Sequence, residues 1–415
     1  MIILIVIKYI LSKRENMKKK ITLATSALLF SAALNAADTN ELVMLKQQVQ
    51  ELQETTQTLI DETSDLKTGF NYTTVDTKKS HSGLGSAASK VYYSKSPLSI
   101  GGYGEMYYAN SGSQGSVVDV YRFVPYIGYK FSDNIILNTE IEFEHGGVNV
   151  EDGTGAEVLV EFMYLDFLQN KNLNIRLGNM LVPMGLINER HEPTLFTTVQ
   201  RPSTAKYLIP TTWSESGVMA YGEIAEGWNY KLALLTALKP ADNGAKWIRG
   251  GRGGSFENKN PNGAVVARVD YSGFTGLNTG VSVYKDNQLT MSDLHLDYKK
   301  SGARIYGVYT QTTRSDANAT QVKKAQGGFV NVSYDVLTLT NSEKSLPLFV
   351  QYESVDAQAE FGDGSSADKT TTLTVGVNYY PHPQVVLKAD YADATLQSSP
   401  TTSTQTLSLS MGFIF

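Results

Sequence analysis

The chain has 415 residues, with 36 Lys and Arg against 41 Asp and Glu, a formal charge of −5 and no cysteine. The lack of cysteine excludes a disulfide scaffold and a thiolate metal site. The acidic balance argues against a nucleic-acid binder, so no nucleic acid is expected among the partners.

At the N-terminus, Met17-Lys18-Lys19-Lys20 forms a basic patch, residues 21–34 are apolar, and small residues follow at Asn35-Ala36-Ala37. That order predicts a secretory signal peptide cut after Ala36. The apolar run falls short of the ~20 residues a transmembrane helix needs. Residues 1–16 precede the basic patch and read as an over-extended gene start, so 1–36 is the predicted signal peptide. Without it, 30 basic residues face 40 acidic ones, a net of −10.

Residues 37–67 are predicted to form a periplasmic coiled-coil stalk. Leu42, Val49, Thr56 and Thr63 share one heptad position, and Leu45, Leu52, Leu59 and Leu66 share the other. An isolated helix of this length is marginal, so self-association is expected. Residues 68–97 are rich in Ser, Thr, Lys, Gly and Asn and read as a flexible linker.

From Leu98 the sequence predicts an all-β fold, a transmembrane antiparallel β-barrel of roughly sixteen strands. No apolar helical span appears, and a chain without one crosses a membrane only as a closed barrel. Tight turns are predicted at 132–134, 169–172, 225–227, 272–276, 299–302 and 381–384. Longer loops are predicted at 145–156, 178–217, 239–262, 312–325, 354–369 and 392–403. Such parity is how membrane barrels are built, whereas a soluble β-sandwich has no reason to keep it. Tyr129, Phe131, Phe167, Tyr271, Tyr298, Tyr334, Tyr379 and Tyr391 lie at strand ends, as an interfacial girdle requires. Residues 407–415 are apolar at every odd position and end in Phe415. This resembles the terminal strand of bacterial outer-membrane proteins and suits barrel closure.

The alternation also assigns faces. Leu173, Ile175 and Leu177, Val281 and Val283, and Leu373, Val375, Val377 and Tyr379 face lipid. Glu140, Glu142 and Glu144, Asp293, His295 and Asp297, with Arg176, Arg268, Arg304 and Lys388, face the lumen. A charge on the lipid side costs up to ~2–4 kcal/mol at the midplane.

The stretch 178–217 does not alternate. Pro183, Pro193, Pro202 and Pro210 forbid a regular strand or long helix through it. It is read as a loop folded into the lumen, the alternative being a surface loop that caps the barrel or touches another subunit. The expected constriction sets Glu189, Arg190, His191, Glu192, Arg201 and Lys206 of this loop against Glu140, Glu142, Glu144 and Arg176 of the wall. Opposed charges there create a transverse field, and the acidic balance tips it toward weak cation preference.

No enzyme is expected. His81, His145, His191, His295 and His382 sit beside no Gly-x-Ser-x-Gly elbow and in no His-x-x-x-His spacing. The acidic tips at 151–153 and 360–364 read as solvated turns, so neither metal nor cofactor is expected. The basic cluster Lys246, Arg249 and Arg252 reads as a flexible surface loop able to meet lipopolysaccharide phosphates.

The segments Val182-Pro183-Met184-Gly185-Leu186, Ile209-Pro210-Thr211-Thr212-Trp213 and Gly222-Glu223-Ile224-Ala225-Glu226-Gly227-Trp228 resemble the phosphate-selective porin O and P superfamily of Gram-negative porins. The resemblance implies a trimeric sixteen-stranded channel with an inward third loop, which is where 178–217 falls. It implies lipid and lipopolysaccharide of the bacterial cell outer membrane, further copies of the chain, and small hydrophilic solutes or ions as partners. The family's phosphate preference rests on basic lumen residues, whereas here glutamates alternate along one wall. The main reading is a passive porin. The alternatives are a substrate-specific channel for phosphate, another anion or a siderophore, and an envelope tether or adhesin acting through the stalk.

Overall fold

A computed structural model describes residues 39–69, 75–112, 115–145, 157–240, 244–253, 259, 261–367 and 369–415. The predicted signal peptide and the acidic tip at 151–153 lie outside the described residues. The described residues fall in two units, within Met1–Tyr72 and Thr73–Phe415.

The first unit contains α1 (Thr39–Gly69), one uninterrupted helix. No Pro or Gly breaks it before Gly69. The hydroxyls of Thr55, Thr56 and Thr58 donate to the carbonyls of Glu51, Leu52 and Glu54, which accommodates these β-branched residues in a helix. Leu52 and Leu59, on the predicted seam, are 70% and 56% exposed.

The second unit is a closed barrel that contains, among the described residues, sixteen antiparallel strands. The first eight are β1 (Leu98–Ser111), β2 (Gly115–Ser132), β3 (Ile135–Glu144), β4 (Glu157–Leu168), β5 (Asn174–Leu181), β6 (Ser214–Ala225), β7 (Trp228–Thr236) and β8 (Gly263–Tyr271). The circuit continues with β9 (Leu277–Lys285), β10 (Leu289–Lys300), β11 (Ala303–Arg314), β12 (Val322–Asp335), β13 (Pro347–Phe361), β14 (Thr370–His382), β15 (Val385–Leu396) and β16 (Ser399–Ile414). Each strand pairs with the next, and β1 pairs with β16 from Tyr103 opposite Ile414 to Ser111 opposite Thr406. Closure leaves no strand edge unpaired.

The period-2 pattern divides the two faces as expected. Leu173, Leu177, Leu232, Leu234, Val281, Val283, Leu294, Val330, Val350, Leu373, Leu407 and Leu409 are exposed on the outside. The alternate positions Glu142, Arg176, Arg268, His295, Asn331, Gln351, Lys388 and Asp390 are buried inside. An apolar belt around a polar interior is the surface of a barrel that spans a bilayer. Among the described residues no helix is long and apolar enough to cross a membrane.

The loop rhythm departs from expectation at several points. β15 and β16 meet in a turn at 397–398 where a longer loop was expected over 392–403. The Thr-rich run at 404–406 favours strand and extends the hairpin. The loops expected over 312–325 and 354–369 likewise contract, because β11, β12 and β13 extend into them. Conversely, the β12–β13 connection, on the side of the tight turns, runs from 336 to 346 around a 3₁₀ turn at Val336–Leu339.

The largest departure is at residues 75–97. Their composition predicts a flexible linker, yet they pack inside the barrel. Leu84, Ala87, Ala88 and Val91 are buried, Val91 within the short helix α2 (Lys90–Tyr93). Lys130 Nζ donates to Ser94 O at 2.6 Å, Asn138 Nδ2 donates to Ala88 O at 2.9 Å, and Lys90 Nζ donates to Ile100 O at 2.8 Å. Wall side chains Lys130 and Asn138 thus supply partners that a Ser/Gly-rich backbone lacks locally, and Lys90 ties the segment back to the wall.

Candidate functional site

The chain enters the lumen just after β5. Gly185 adopts φ of 63°, a conformation that disfavours any Cβ. Its N–H donates to Asp293 Oδ2 at 3.0 Å, and its carbonyl accepts from Arg268 Nη1 at 2.6 Å. Asn188 ties the neck of the loop. Its Nδ2 donates to Val182 O and Trp213 O at 2.8 and 2.9 Å, and its Oδ1 accepts from Trp213 N at 3.0 Å.

The loop then follows the far wall. Arg304 Nη1 donates to Leu195 O at 3.0 Å, and Lys388 Nζ donates to Phe196 O and Thr198 O at 2.9 and 3.0 Å. Val199 N donates to Asp390 Oδ2 at 2.6 Å, and Ser203 N and Thr204 N donate to Glu353 at 3.0 and 2.6 Å. Pro193 reaches β16, where a Cβ on Gly412 would lie 2.7 Å from it. Prolines deny this chain a ladder of its own, and lumen-facing side chains of β10–β15 satisfy its backbone instead.

The predicted constriction residues separate into groups. Glu189 lies 2.6 Å from Lys231 Nζ and 3.7 Å from Arg268 Nη1. Arg190 pairs with Asp297 at 3.2 Å. Glu192 Oε1 accepts from Ala87 N and Ala88 N, each at 3.0 Å, and so docks residues 75–97 onto the loop. These three therefore meet partners other than the β3 glutamates. Arg176 forms a further cluster. Its Nε and Nη2 grip Asp166 at 3.0 and 2.8 Å, its guanidinium stacks 4.0 Å from the Tyr164 ring, and Tyr92 donates to Asp166 from residues 75–97.

What remains is an acidic wall facing a basic one. Glu140, Glu142 and Glu161 are buried together, and Arg122 bridges Glu142 at 3.1 Å to Glu105 at 3.7 Å. Across from them, Arg201 donates to His191 O at 3.1 Å and to Thr211 Oγ1 at 3.3 Å. Lys206 Nζ donates to Gln200 Oε1 at 2.8 Å. Burial, then the nearby guanidiniums of Arg201, Arg249 and Arg122, hold the Lys206 ammonium down at about 8. The cluster expected on a surface loop also contributes. Arg252 Nη1 donates to Thr211 O and Thr212 O at 2.8 and 3.1 Å, Arg249 Nη1 donates to Thr211 O at 3.3 Å, and Lys246 alone is exposed. Trp247, fully buried with its Nε1 donating to Ala357 O at 2.8 Å, anchors the segment inside the mouth. Arg252 is in electrostatic reach of Glu161, Glu144 and Glu142.

On the side of the tight turns a cavity of about 470 Å³ is lined by His81, Glu189, Arg190, Tyr221, Lys231 and Arg268, among others. Burial, partly opposed by Asp166, holds His81 down at about 4, so its ring is neutral beside the Tyr221 hydroxyl at 2.9 Å.

No family model matches the chain. An uncharacterised protein of Aquifex aeolicus (strain VF5) is 33% identical over 347 residues, covering 75% of this chain and 79% of that protein. The chain belongs to that protein's family. Among solved structures, OmpF of Salmonella typhi in complex with daunomycin aligns over 77% of this chain and 97% of its own, at 12% identity and a TM-score of 0.52. A loop-deleted form of OmpT, an outer membrane protein of Vibrio cholerae, covers 77% of this chain and 99% of its own, at 14% identity and a TM-score of 0.51. At these identities the likeness shows a shared barrel fold.

Sequence reasoning missed Glu105, Arg122, Glu161 and the docking of residues 75–97, and it placed Arg249 and Arg252 on a surface loop rather than against the inward loop. Arg122 sits at a lumen-facing position of its strand and could have been found by phase. Glu161 could not, because the β3–β4 register shifts between Glu140 and Ile141. That bulge turns both Glu161 and Phe162 inward and breaks the period-2 pattern.

Proposed function

We propose that the protein is an outer-membrane porin, a water-filled channel for passive diffusion of small hydrophilic solutes and ions, and not an enzyme. The observation that carries this reading is the inward loop, whose Arg201 and Lys206 stand with Arg249 and Arg252 opposite Glu105, Glu142, Glu144 and Glu161. Opposed walls of opposite sign order water across the pore and favour small polar or zwitterionic solutes over apolar ones. Because bases and acids nearly balance at this level, the channel discriminates only weakly between anions and cations. Residues 75–97 narrow the lumen further and lower the conductance.

The test is a planar bilayer with a salt gradient across it. Stepwise single-channel currents with a small reversal potential are expected. Absence of channel steps from correctly folded protein rejects the porin reading and favours the tether. A large anionic reversal potential, with current blocked by phosphate, favours the phosphate-selective alternative, to which the basic side of the constriction lends support. The exposed Leu52 and Leu59 of α1 support self-association through the stalk, while the homotrimer itself rests on barrel contacts, which bury far more surface. A peptide of residues 37–66 should then self-associate in sedimentation equilibrium, and replacing Leu45, Leu52 and Leu59 with Ser should leave it monomeric.

A further inference from the structure

We propose that Glu140, Glu161 and His191 form a binding site for a first-row divalent transition-metal ion, with zinc the best fit. Glu140 comes from β3, Glu161 from the bulge in β4 and His191 from the inward loop. Their ligand atoms all lie within 4.8 Å of one another. His191 Nε2 is 3.1 Å from Glu140 Oε1 and 3.5 Å from Glu161 Oε2. All three residues are buried, at 0%, 6% and 2% exposure for Glu140, Glu161 and His191.

The histidine tautomer decides what this cluster wants. His191 Nδ1 contacts Asn188 O at 2.7 Å. A carbonyl only accepts, so Nδ1 carries the hydrogen and Nε2 faces the two carboxylates. This is the arrangement by which metal-binding histidines are oriented, the non-coordinating N–H given to a backbone carbonyl. Asn188 is itself fixed by the neck of the loop, so the ring is pre-positioned. A proton on Nε2 would serve one oxygen. Glu140 Oε2 and Glu161 Oε2 are buried and accept from no N–H or O–H donor among the described residues. The Glu161 carboxyl lies within hydrogen-bonding reach of those of Glu140 and Glu142, and Glu140 Oε1 accepts from the Tyr126 hydroxyl at 3.3 Å. The nearest guanidiniums lean on other groups, Arg122 at 3.1 and 3.7 Å from Glu142 and Glu105, and Arg201 on His191 O and Thr211. Their remaining nitrogens, Arg122 Nε and Arg201 Nε, make no hydrogen bond to the two carboxylates. A divalent ion satisfies the nitrogen and both carboxylates at once.

The geometry and donor set select the ion. Bonds of ~2.0–2.2 Å to nitrogen and oxygen give tetrahedral ligand–ligand edges of about 3.4 Å. The contacts of 3.1 and 3.5 Å from Nε2 bracket that value. One imidazole with two carboxylates suits zinc and its neighbours, whereas calcium and magnesium take oxygen donors alone. Three protein ligands leave a fourth position to water. Bound there, the ion ties the loop to the β3–β4 wall and neutralises part of the acidic side. The site stands independently of whether the barrel conducts.

The full protein, folded in detergent and stripped with a chelator, is dialysed against zinc chloride. One zinc per chain is expected. Glu161→Gln and His191→Ala, checked for folding by heat-modifiable migration, should each bind at least roughly 10–100-fold more weakly, the loss that even changes outside the ligand set produce. Glu360→Gln, which removes a carboxylate paired with Lys323 outside the site, should bind as wild type does. Cobalt-loaded wild type should show the intense visible absorption of a tetrahedral nitrogen–oxygen site. Failure of stripped wild type to take up zinc, unchanged affinity in both ligand variants, or the pale spectrum of octahedral cobalt each overturns the proposal.

Discussion

Lys206 is the residue whose charge the environment tunes. Its ammonium is held near 8 by burial and by neighbouring guanidiniums, so it is protonated below that value and loses its charge above it. Raising the pH from ~7 to ~9 therefore removes one base from the constriction, and the reversal potential moves toward cations. Lys206→Gln should show that part of the shift already at neutral pH and weaken the pH dependence, and a titration of reversal potential reads both. Arg176 acts on stability instead. Its bidentate contact is the main compensation for Asp166, which is fully buried. Arg176→Ala strands that carboxylate and should cost about 3–5 kcal/mol, measured as a lower urea midpoint for folded barrel in lipid. Ion selectivity should change little, since the Arg176 charge is already paired.

At the scale of elements, the lumen is organised by two segments with no ladder of their own, the loop 182–213 and residues 75–97. They hold each other. Glu192 accepts two N–H groups from Ala87 and Ala88, and Gly85 N donates to Glu189 O at 3.0 Å. Gly85 must be glycine for this approach, since a Cβ there would lie 2.1 Å from Glu192 Oε1. Glu192→Ala orphans two buried donors at about 1–3 kcal/mol each. Limited proteolysis should then cut within 75–97 while the barrel stays intact, and single-channel conductance should rise. Glu192→Gln keeps an acceptor and should resist cleavage. The prolines of 182–213 announced an irregular segment in the sequence. Nothing in the Ser/Gly-rich 75–97 announced its docking, because its partners lie on the wall and the inward loop about 50 to 100 residues away.

The whole molecule depends on joining β1 to β16. Phe415 exchanges backbone hydrogen bonds of 2.9 Å with Gly102 in both directions, and its ring stacks on Phe123 at a centroid distance of 5.9 Å. Deleting Phe415 opens the seam at its last pair. Folded, heat-modifiable protein in the membrane should fall while export across the inner membrane stays normal. Full recovery of the folded form would show that closure does not need the terminal residue.

Local chemistry in the sequence determined the strands, their two faces, the closing terminus, the helix at Thr39–Gly69 and the place where the chain leaves the wall. Each follows from a period of 2 or 3.5 residues or from proline, and these act between near neighbours. The partners of the loop charges were decided only in three dimensions. Glu189 and Arg190 turn to β7, β8 and β10, while His191 meets Glu140 and Glu161 through a bulge that period-2 reading cannot place. A pairing between residues far apart in the chain is set by how the closed barrel brings its walls to the loop, and no short-range pattern encodes that distance.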